Sequence, residues 1–154
     1  MSILTQPSEA IQRRLAYLLL RVAIGLSLTG HGLVRIPKLD AFRDSMTEQF
    51  ASSIIPIGLV SVVGLVLPVA ELVIGLTMTF GLLTPISLIS GALSMIILVF
   101  GSTAIENWSA IGDQLLHLIP VIALLAFPRF NTYSADHLWL HRPLAAPIAD
   151  GAGR

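Results

Sequence analysis

The stretch from Leu15 to Val34 constrains this chain more than any other part of the sequence. Its residues, LAYLLLRVAIGLSLTGHGLV, are almost all apolar, and together they are long enough for one helix to cross the hydrocarbon core of a bilayer. Arg21 lies within this stretch and His31 lies near its end. Because a charge at membrane depth costs at least about 2.5 kcal/mol, such a residue is expected to have a partner or a task.

The composition indicates that lipid is the solvent for most of the chain. Of its 154 residues, 55% are hydrophobic and 12% are charged, whereas a soluble domain carries about 25% charged residues. The formal net charge is zero, which argues against nucleic acid as a partner, because nucleic acid requires a basic surface. The chain contains no cysteine, which excludes disulfides, thiolate metal ligands, cysteine-ligated iron–sulfur clusters and thiol catalysis.

Four long apolar segments predict an all-α fold, an integral membrane bundle of four transmembrane helices. The expected spans are about residues 14–34, 58–83, 86–103 and 110–127. Together they form a single transmembrane domain covering residues 1–142. Residues 143–154 are expected to be a disordered tail, because they are rich in Pro, Ala and Gly and have no apolar period.

The connection between the first two spans carries an amphipathic pattern. Leu39, Phe42, Met46 and Phe50 recur at spacings of three and four residues among charged side chains. This pattern predicts a short helix that lies in the membrane interface. Such a helix would either cap the bundle or form a lid over a ligand entrance, and the sequence leaves both interpretations open.

The charge distribution predicts the orientation in the membrane. Four spans place both termini on one side, and that side carries five arginines: Arg13, Arg14, Arg129, Arg142 and Arg154. The first connection on the opposite side carries Arg35, Lys38 and Arg43, and the last connection there carries no basic residue. The positive-inside rule therefore favours cytoplasmic termini.

Arg21 and Glu71 are expected to form a structural ion pair between the first two spans. With a helical rise of about 1.5 Å per residue, Arg21 lies roughly 10 Å and Glu71 roughly 13 Å from the same side of the membrane. A glycine follows each charge by four residues, at Gly25 and Gly75, and would let the helices approach closely. Two interpretations remain open: the pair only locks the helices together, or it binds a ligand head group or gates a proton.

His31, His117 and Asp113 predict a second polar layer, near the opposite side of the membrane. Asp113 precedes His117 by four residues and so lies on the same helical face, where its carboxylate would fix the tautomer of the imidazole. Three interpretations remain open. The histidines form hydrogen bonds with other groups of the bundle, or they donate to the carbonyl oxygens of a quinone, or together they ligate a haem iron. Haem is the least favoured of the three, because the sequence contains no motif specific for it.

These landmarks resemble the DoxX/DoxD-like family of small membrane proteins. The matching pieces are Arg21-x-x-x-Gly25, His31-Gly32, Glu71-Leu72-Val73-Ile74-Gly75-Leu76, Phe80-Gly81-Leu82-Leu83-Thr84 and Ser134-Ala135-Asp136. After the His-Gly pair this chain has Arg35 where the family usually has lysine. The resemblance implies a four-helix, multi-pass protein of the bacterial cytoplasmic membrane. Named members of the family are subunits of a thiosulfate:quinone oxidoreductase, and others are linked to oxidative-stress assemblies.

The polar residues and the resemblance together favour a membrane subunit of an oxidoreductase system that passes electrons from a partner protein to quinone. The predicted catalytic residues are His31, Glu71 and His117. The predicted quinone-binding residues are Arg21, His31, Glu71, Asp113 and His117. The expected partners are the lipid bilayer and a second protein subunit or further copies of this chain, and no metal, nucleotide or iron–sulfur site is expected. The alternatives are a non-catalytic anchor or assembly module and, less favoured, a small-molecule carrier.

Overall fold

The computed structural model describes residues 8–140, which contain helices, turns and loops but no strand. The helices are α1 (Glu9–Arg35), α2 (Leu39–Gln49), α3 (Ile57–Phe80), α4 (Thr84–Ala104), α5 (Trp108–Ala126) and α6 (Ala135–Leu140). Helices α1, α3, α4 and α5 are long and apolar enough to cross a membrane, and the first of these segments continues through a short 3-10 turn into α2. The predicted all-α bundle with four transmembrane helices is therefore confirmed.

Two helix ends differ from the expected bounds by three residues or more. Helix α1 begins at Glu9, earlier than the expected residue 14, and its first turns carry an exposed ion pair between Glu9 and Arg13. Helix α3 ends at Phe80 rather than at residue 83, because Gly81 adopts the left-handed region with φ of 67°. Glycine enters that region at little cost and ends many helices in this way. The predicted tail at residues 143–154 lies outside the described residues.

Helices α1 and α3 run antiparallel and pack at very short range along two glycines. A Cβ atom added at Gly25 would lie 2.7 Å from the backbone nitrogen of Thr79, and one added at Gly75 would lie 2.6 Å from Oγ1 of Thr29. Neither position therefore has room for a side chain. The small residues predicted to bring the helices together do lie in this contact, where they fix the register of α1 against α3.

The two ends of the bundle are distinct. At the terminal end, where α1 begins and α5 ends, the segment after α5 folds back over the turn between α3 and α4. Asp136 there accepts hydrogen bonds from the backbone nitrogens of Leu83 and Thr84, both at 2.7 Å, while its own nitrogen donates to the carbonyl of Gly81. At the opposite end, the α2 end, helix α2 packs mainly against α3.

The outer surface is apolar. Large side chains on all four long helices are more than half exposed, among them Leu26, Val66, Phe100 and Leu116. The buried core is small and includes Tyr17, Leu28, Met78, Leu88, Met95, Val121 and Leu124. A soluble domain rarely exposes so much apolar surface, so contact with a lipid bilayer accounts for it. The predicted position of α2 in the membrane interface stays a prediction.

Candidate functional site

A cavity of about 350 Å³ lies at the α2 end of the bundle, under α2 and among α1, α3, α4 and α5. Phe42 and Met46 of α2 and Phe50, which directly follows α2, form one side of it, so three of the four residues of the predicted amphipathic stripe face this space. Most of the lining is apolar. The polar side chains in the lining are His31, Arg35, Gln49, Glu71, Ser102, Asn107, Asp113, Gln114 and His117. Four of the five residues predicted to bind quinone thus line one cavity.

Arg35 and Glu71 form an ion pair in the wall of this cavity. Their Nη1 and Oε2 atoms lie 2.5 Å apart, and only 4% of the Glu71 side chain is exposed, against 26% of Arg35. The guanidinium of Arg35 also lies 4.8 Å from the ring centre of Phe42, within the range of a cation–π contact. Arg35 therefore joins α1 to both α3 and α2 at the cavity.

The predicted ion pair between Arg21 and Glu71 is wrong. The glycine contacts place Arg21 level with the end of α3, since Gly25 meets Thr79 and Gly81 lies against the Arg21 guanidinium. Gly32, near the other end of α1, meets Leu72, so Glu71 lies level with that end. Ten residues of α1 separate the two levels, which is about 15 Å. The prediction failed because α1 extends well beyond the end of α3, so depths counted from the two helix ends do not share an origin.

Arg21 lies at the terminal end and has other partners. It is 1% exposed and donates hydrogen bonds to the carbonyl oxygens of Met78, at 3.0 Å, and Tyr133, at 2.6 Å. Its charge also interacts with the carboxylate of Asp136. Arg21 does not line the cavity. The structure therefore separates this residue from the other predicted quinone-binding residues, and its contacts hold the folded-back segment against α1 and α3.

His117 has a partner for each ring nitrogen. Its Nδ1 lies 2.9 Å from the backbone carbonyl oxygen of Asp113, and its Nε2 lies 2.8 Å from Oγ of Ser27 on α1. A carbonyl oxygen only accepts, so Nδ1 carries a proton and donates to it, while Nε2 and the Ser27 hydroxyl form the second hydrogen bond. Asp113 therefore orients His117 through its backbone and not, as expected, through its carboxylate. His117 also offers no free ring nitrogen as a haem ligand.

His31 faces His117 across the cavity wall and keeps its ring nitrogens available. The two ring centres lie 5.7 Å apart, with the ring planes at 78°. Within residues 8–140, the side chain of His31 makes no hydrogen bond. It is also one turn of α1 away from Arg35, so a donor nitrogen and a guanidinium lie along the same face of the helix. A ligand in the cavity would meet both groups.

Gln114 adds a polar group that the sequence prediction missed. Its Nε2 donates to Oγ of Ser102 at 2.7 Å, while its side-chain carbonyl oxygen is buried without a hydrogen-bond partner. Buried polar atoms without partners are uncommon and call for an explanation. A hydroxyl group of a ligand in the cavity would supply the missing donor.

Arg35 and Gln114 both had signals in the sequence. Arg35 follows His31 by four residues, and Gln114 precedes His117 by three, so each shares a helical face with a predicted site residue. Arg35 comes at the very end of the apolar run, so its position in the sequence favours the polar connection rather than the helix. Gln114 carries no charge, so hydropathy and charge do not distinguish it.

Comparisons with known proteins identify a family and no individual relative. The model of the DoxX family matches residues 16–106. This match covers most of α1 and continues through α4, with His31, Arg35 and Glu71, and it ends before Asp113 and His117 of α5. A comparison with curated proteins gave no match, and neither did one with solved structures.

Proposed function

The chain belongs to the DoxX family, and from this premise we propose that it is the quinone-interacting membrane subunit of an oxidoreductase system that passes electrons from a partner protein to quinone. One observation carries the proposal: a mostly apolar cavity with a polar wall that contains His31, Arg35, Glu71 and His117. Its volume of about 350 Å³ lies within the range of small-molecule binding sites. The remaining steps concern what these side chains offer to a quinone.

The available polar groups match both redox forms of a quinone. An oxidised quinone has two carbonyl oxygens that accept hydrogen bonds, and the free ring N–H of His31 and the unused N–H groups of Arg35 are donors. A reduced quinol has hydroxyl groups that donate, and the unpartnered carbonyl oxygen of Gln114 is an acceptor. The aromatic and aliphatic side chains of the remaining lining would enclose the ring and the first part of an isoprenoid tail.

Reduction of a quinone takes up two electrons and two protons. His31 lines the cavity, and its ring nitrogens make no hydrogen bond within the protein, so we assign proton delivery to this residue. Glu71 is paired with Arg35 and holds the guanidinium in position beside the bound ring. His117 holds its neighbours in place, because both of its ring nitrogens are engaged. The electrons would come from a partner subunit, since the chain has no cysteine and no nucleotide-binding glycine motif.

A binding experiment tests the cavity directly. Purified protein in mild detergent is titrated with a short-tailed quinone, and binding is followed through the shift of the thermal unfolding midpoint. We expect His31→Leu to weaken binding by about tenfold or more, as the loss of one hydrogen bond from a ring donor implies. Glu71→Gln should weaken binding as well, because the Arg35 guanidinium loses the carboxylate that holds it in place. Glu48→Gln is the matched control, because Glu48 is exposed on α2 and does not line the cavity.

A second measurement separates binding from electron transfer. In native membranes, the same variants should lower quinone reduction by the associated donor while the protein remains at its normal level. Unchanged quinone affinity in both His31→Leu and Glu71→Gln would contradict the proposal. That outcome would instead favour a non-catalytic anchor or assembly module, which was the alternative expected from the sequence.

A further inference from the structure

A second groove lies at the terminal end of the bundle, far from the cavity under α2. It has a volume of about 350 Å³ and is formed by the start of α1, the end of α5 and the 3-10 turn after α5. Its floor is apolar, with Ala16, Tyr17, Leu20, Ala123, Leu124 and Phe127. Phe130 and two cationic side chains, Arg13 and Arg129, complete the lining. No residue of this groove belongs to the proposed quinone site.

The two arginines converge on one aromatic ring. The guanidinium carbon of Arg129 lies 4.8 Å from the ring centre of Phe130, and that of Arg13 lies 6.0 Å from the same centre. Two positive charges therefore lie around one aromatic ring at the mouth of an apolar groove. Glu9 pairs with Arg13, but this pair is exposed and therefore weak. An anion at the mouth of the groove would be attracted by both guanidinium groups.

The position of the groove in the chain indicates what kind of anion would fit. Arg13 comes just before the apolar run of α1, and Arg129 comes just after the last residue of α5, Ala126. Both arginines therefore lie at the expected boundary between head groups and hydrocarbon. Leu20 and Phe127 lie on the groove and are partly exposed, so an acyl chain would run along them from that boundary toward the interior of the membrane.

We propose that this groove binds one anionic phospholipid, whose phosphodiester lies between Arg13 and Arg129 and whose acyl chain occupies the apolar floor. Arginine is suited to this role, because its planar guanidinium binds phosphate oxygens in pairs. The Phe130 ring orients both guanidinium groups before the lipid arrives. Charge complementarity and the apolar floor together favour a lipid over a soluble anion.

The test uses the purified full chain in detergent, with retained lipids counted by native mass spectrometry. Phosphatidylglycerol is titrated against phosphatidylcholine with the same acyl chains, and glycerol 3-phosphate serves as the head group alone. We expect one phosphatidylglycerol to be retained in preference to phosphatidylcholine, and glycerol 3-phosphate not to compete. Arg13→Gln and Arg129→Gln should each weaken this binding about fivefold, the effect of one basic residue at an anionic surface.

Two further variants distinguish a specific lipid-binding groove from nonspecific electrostatic attraction of anionic lipid. Arg14→Gln removes the same charge one residue away, from a side chain that does not line the groove, and should leave binding unchanged. Ala16→Trp fills the groove while both arginines remain, and should abolish retention of the lipid in protein that still elutes as folded. The proposal is overturned by equal losses in Arg13→Gln and Arg14→Gln, by unchanged retention in Ala16→Trp, or by competition from glycerol 3-phosphate.

Discussion

At the scale of single residues, the two arginines of α1 have different tasks. Arg21 is fully enclosed and donates to backbone carbonyls of α3 and of the segment after α5. Arg35 is partly exposed and neutralises the buried carboxylate of Glu71 beside the cavity. A carboxylate as enclosed as Glu71 is costly without a cation. The stability of the α2 end should therefore depend on Arg35, although the sequence predicts that Arg21 is the partner.

We expect Arg35→Leu to lower the free energy of unfolding by about 3 kcal/mol, because it leaves Glu71 buried and unpaired. The double variant Arg35→Glu/Glu71→Arg swaps the charges of the pair and should recover part of this loss. The double variant Arg21→Glu/Glu71→Arg should show no such recovery. Unfolding in mixed micelles measures each effect. Lys38→Leu is the control, since Lys38 is exposed nearby and should change stability by less than about 0.5 kcal/mol. Recovery in the Arg21 exchange would contradict the observed pairing.

At the scale of helices, close packing and capping set the architecture. The glycine contacts between α1 and α3 determine which residues lie level with one another, and therefore which charges can meet. At the terminal end of α3, Asp136 of the folded-back segment accepts hydrogen bonds from the backbone nitrogens of Leu83 and Thr84, where α4 begins. A carboxylate at a helix N-terminus satisfies free N–H groups and interacts favourably with the helix dipole. The short α6 thus stabilises the turn between α3 and α4.

The capping contact should make stability depend on pH. Burial raises the pKa of Asp136, but hydrogen bonds from Thr84 and Leu83 and the charge of Arg21 outweigh it and hold this pKa below its usual value. The ionised Asp136 side chain therefore makes its full contribution to the free energy of unfolding above the ordinary carboxyl pKa of about 4. This contribution is lost as the pH falls through the lower pKa of the folded state.

Asp136→Asn should lower the free energy of unfolding at pH 7 by about 1 kcal/mol, which is typical of a lost N-terminal cap. The variant should also lose less stability than the wild type when the pH is lowered from about 5 to 3. Unfolding midpoints in detergent across this range measure both effects. Asp40→Asn is the comparison, because the Asp40 side chain is 82% exposed. If wild type and Asp136→Asn lose the same amount of stability between about pH 5 and pH 3, the Asp136 carboxylate does not titrate in this way.

At the scale of the whole molecule, the charges at the two ends predict the direction of insertion. Arg13, Arg14 and Arg129 lie at the terminal end, and from the positive-inside rule we expect that end to lie in the cytoplasm. The cavity under α2 would then open on the opposite side of the membrane, where a partner protein would deliver its electrons. Orientation is therefore linked to the proposed function.

Single cysteines can report this orientation without background, because the chain has none of its own. We expect Ser52→Cys, in the connection between α2 and α3, to react with a membrane-impermeant maleimide in intact bacterial cells. Ser8→Cys, just before α1, should react only after the membrane is opened. Both positions are exposed in the structure, so access of the reagent is not limited by burial. The reverse labelling pattern would show the opposite insertion.

The sequence by itself determined the number of long helices, their approximate bounds and the layer of His31, Asp113 and His117. These features follow from hydropathy and from spacing along one helix, which are local properties of the chain. Only the tertiary structure decided which residues of different helices meet. The pairing of Glu71 with Arg35, the role of Arg21 and the cavity under α2 all depend on the offset between α1 and α3. That offset is set by contact of Gly25 and Gly75 with the opposite backbone, and no pattern within a single helix encodes it.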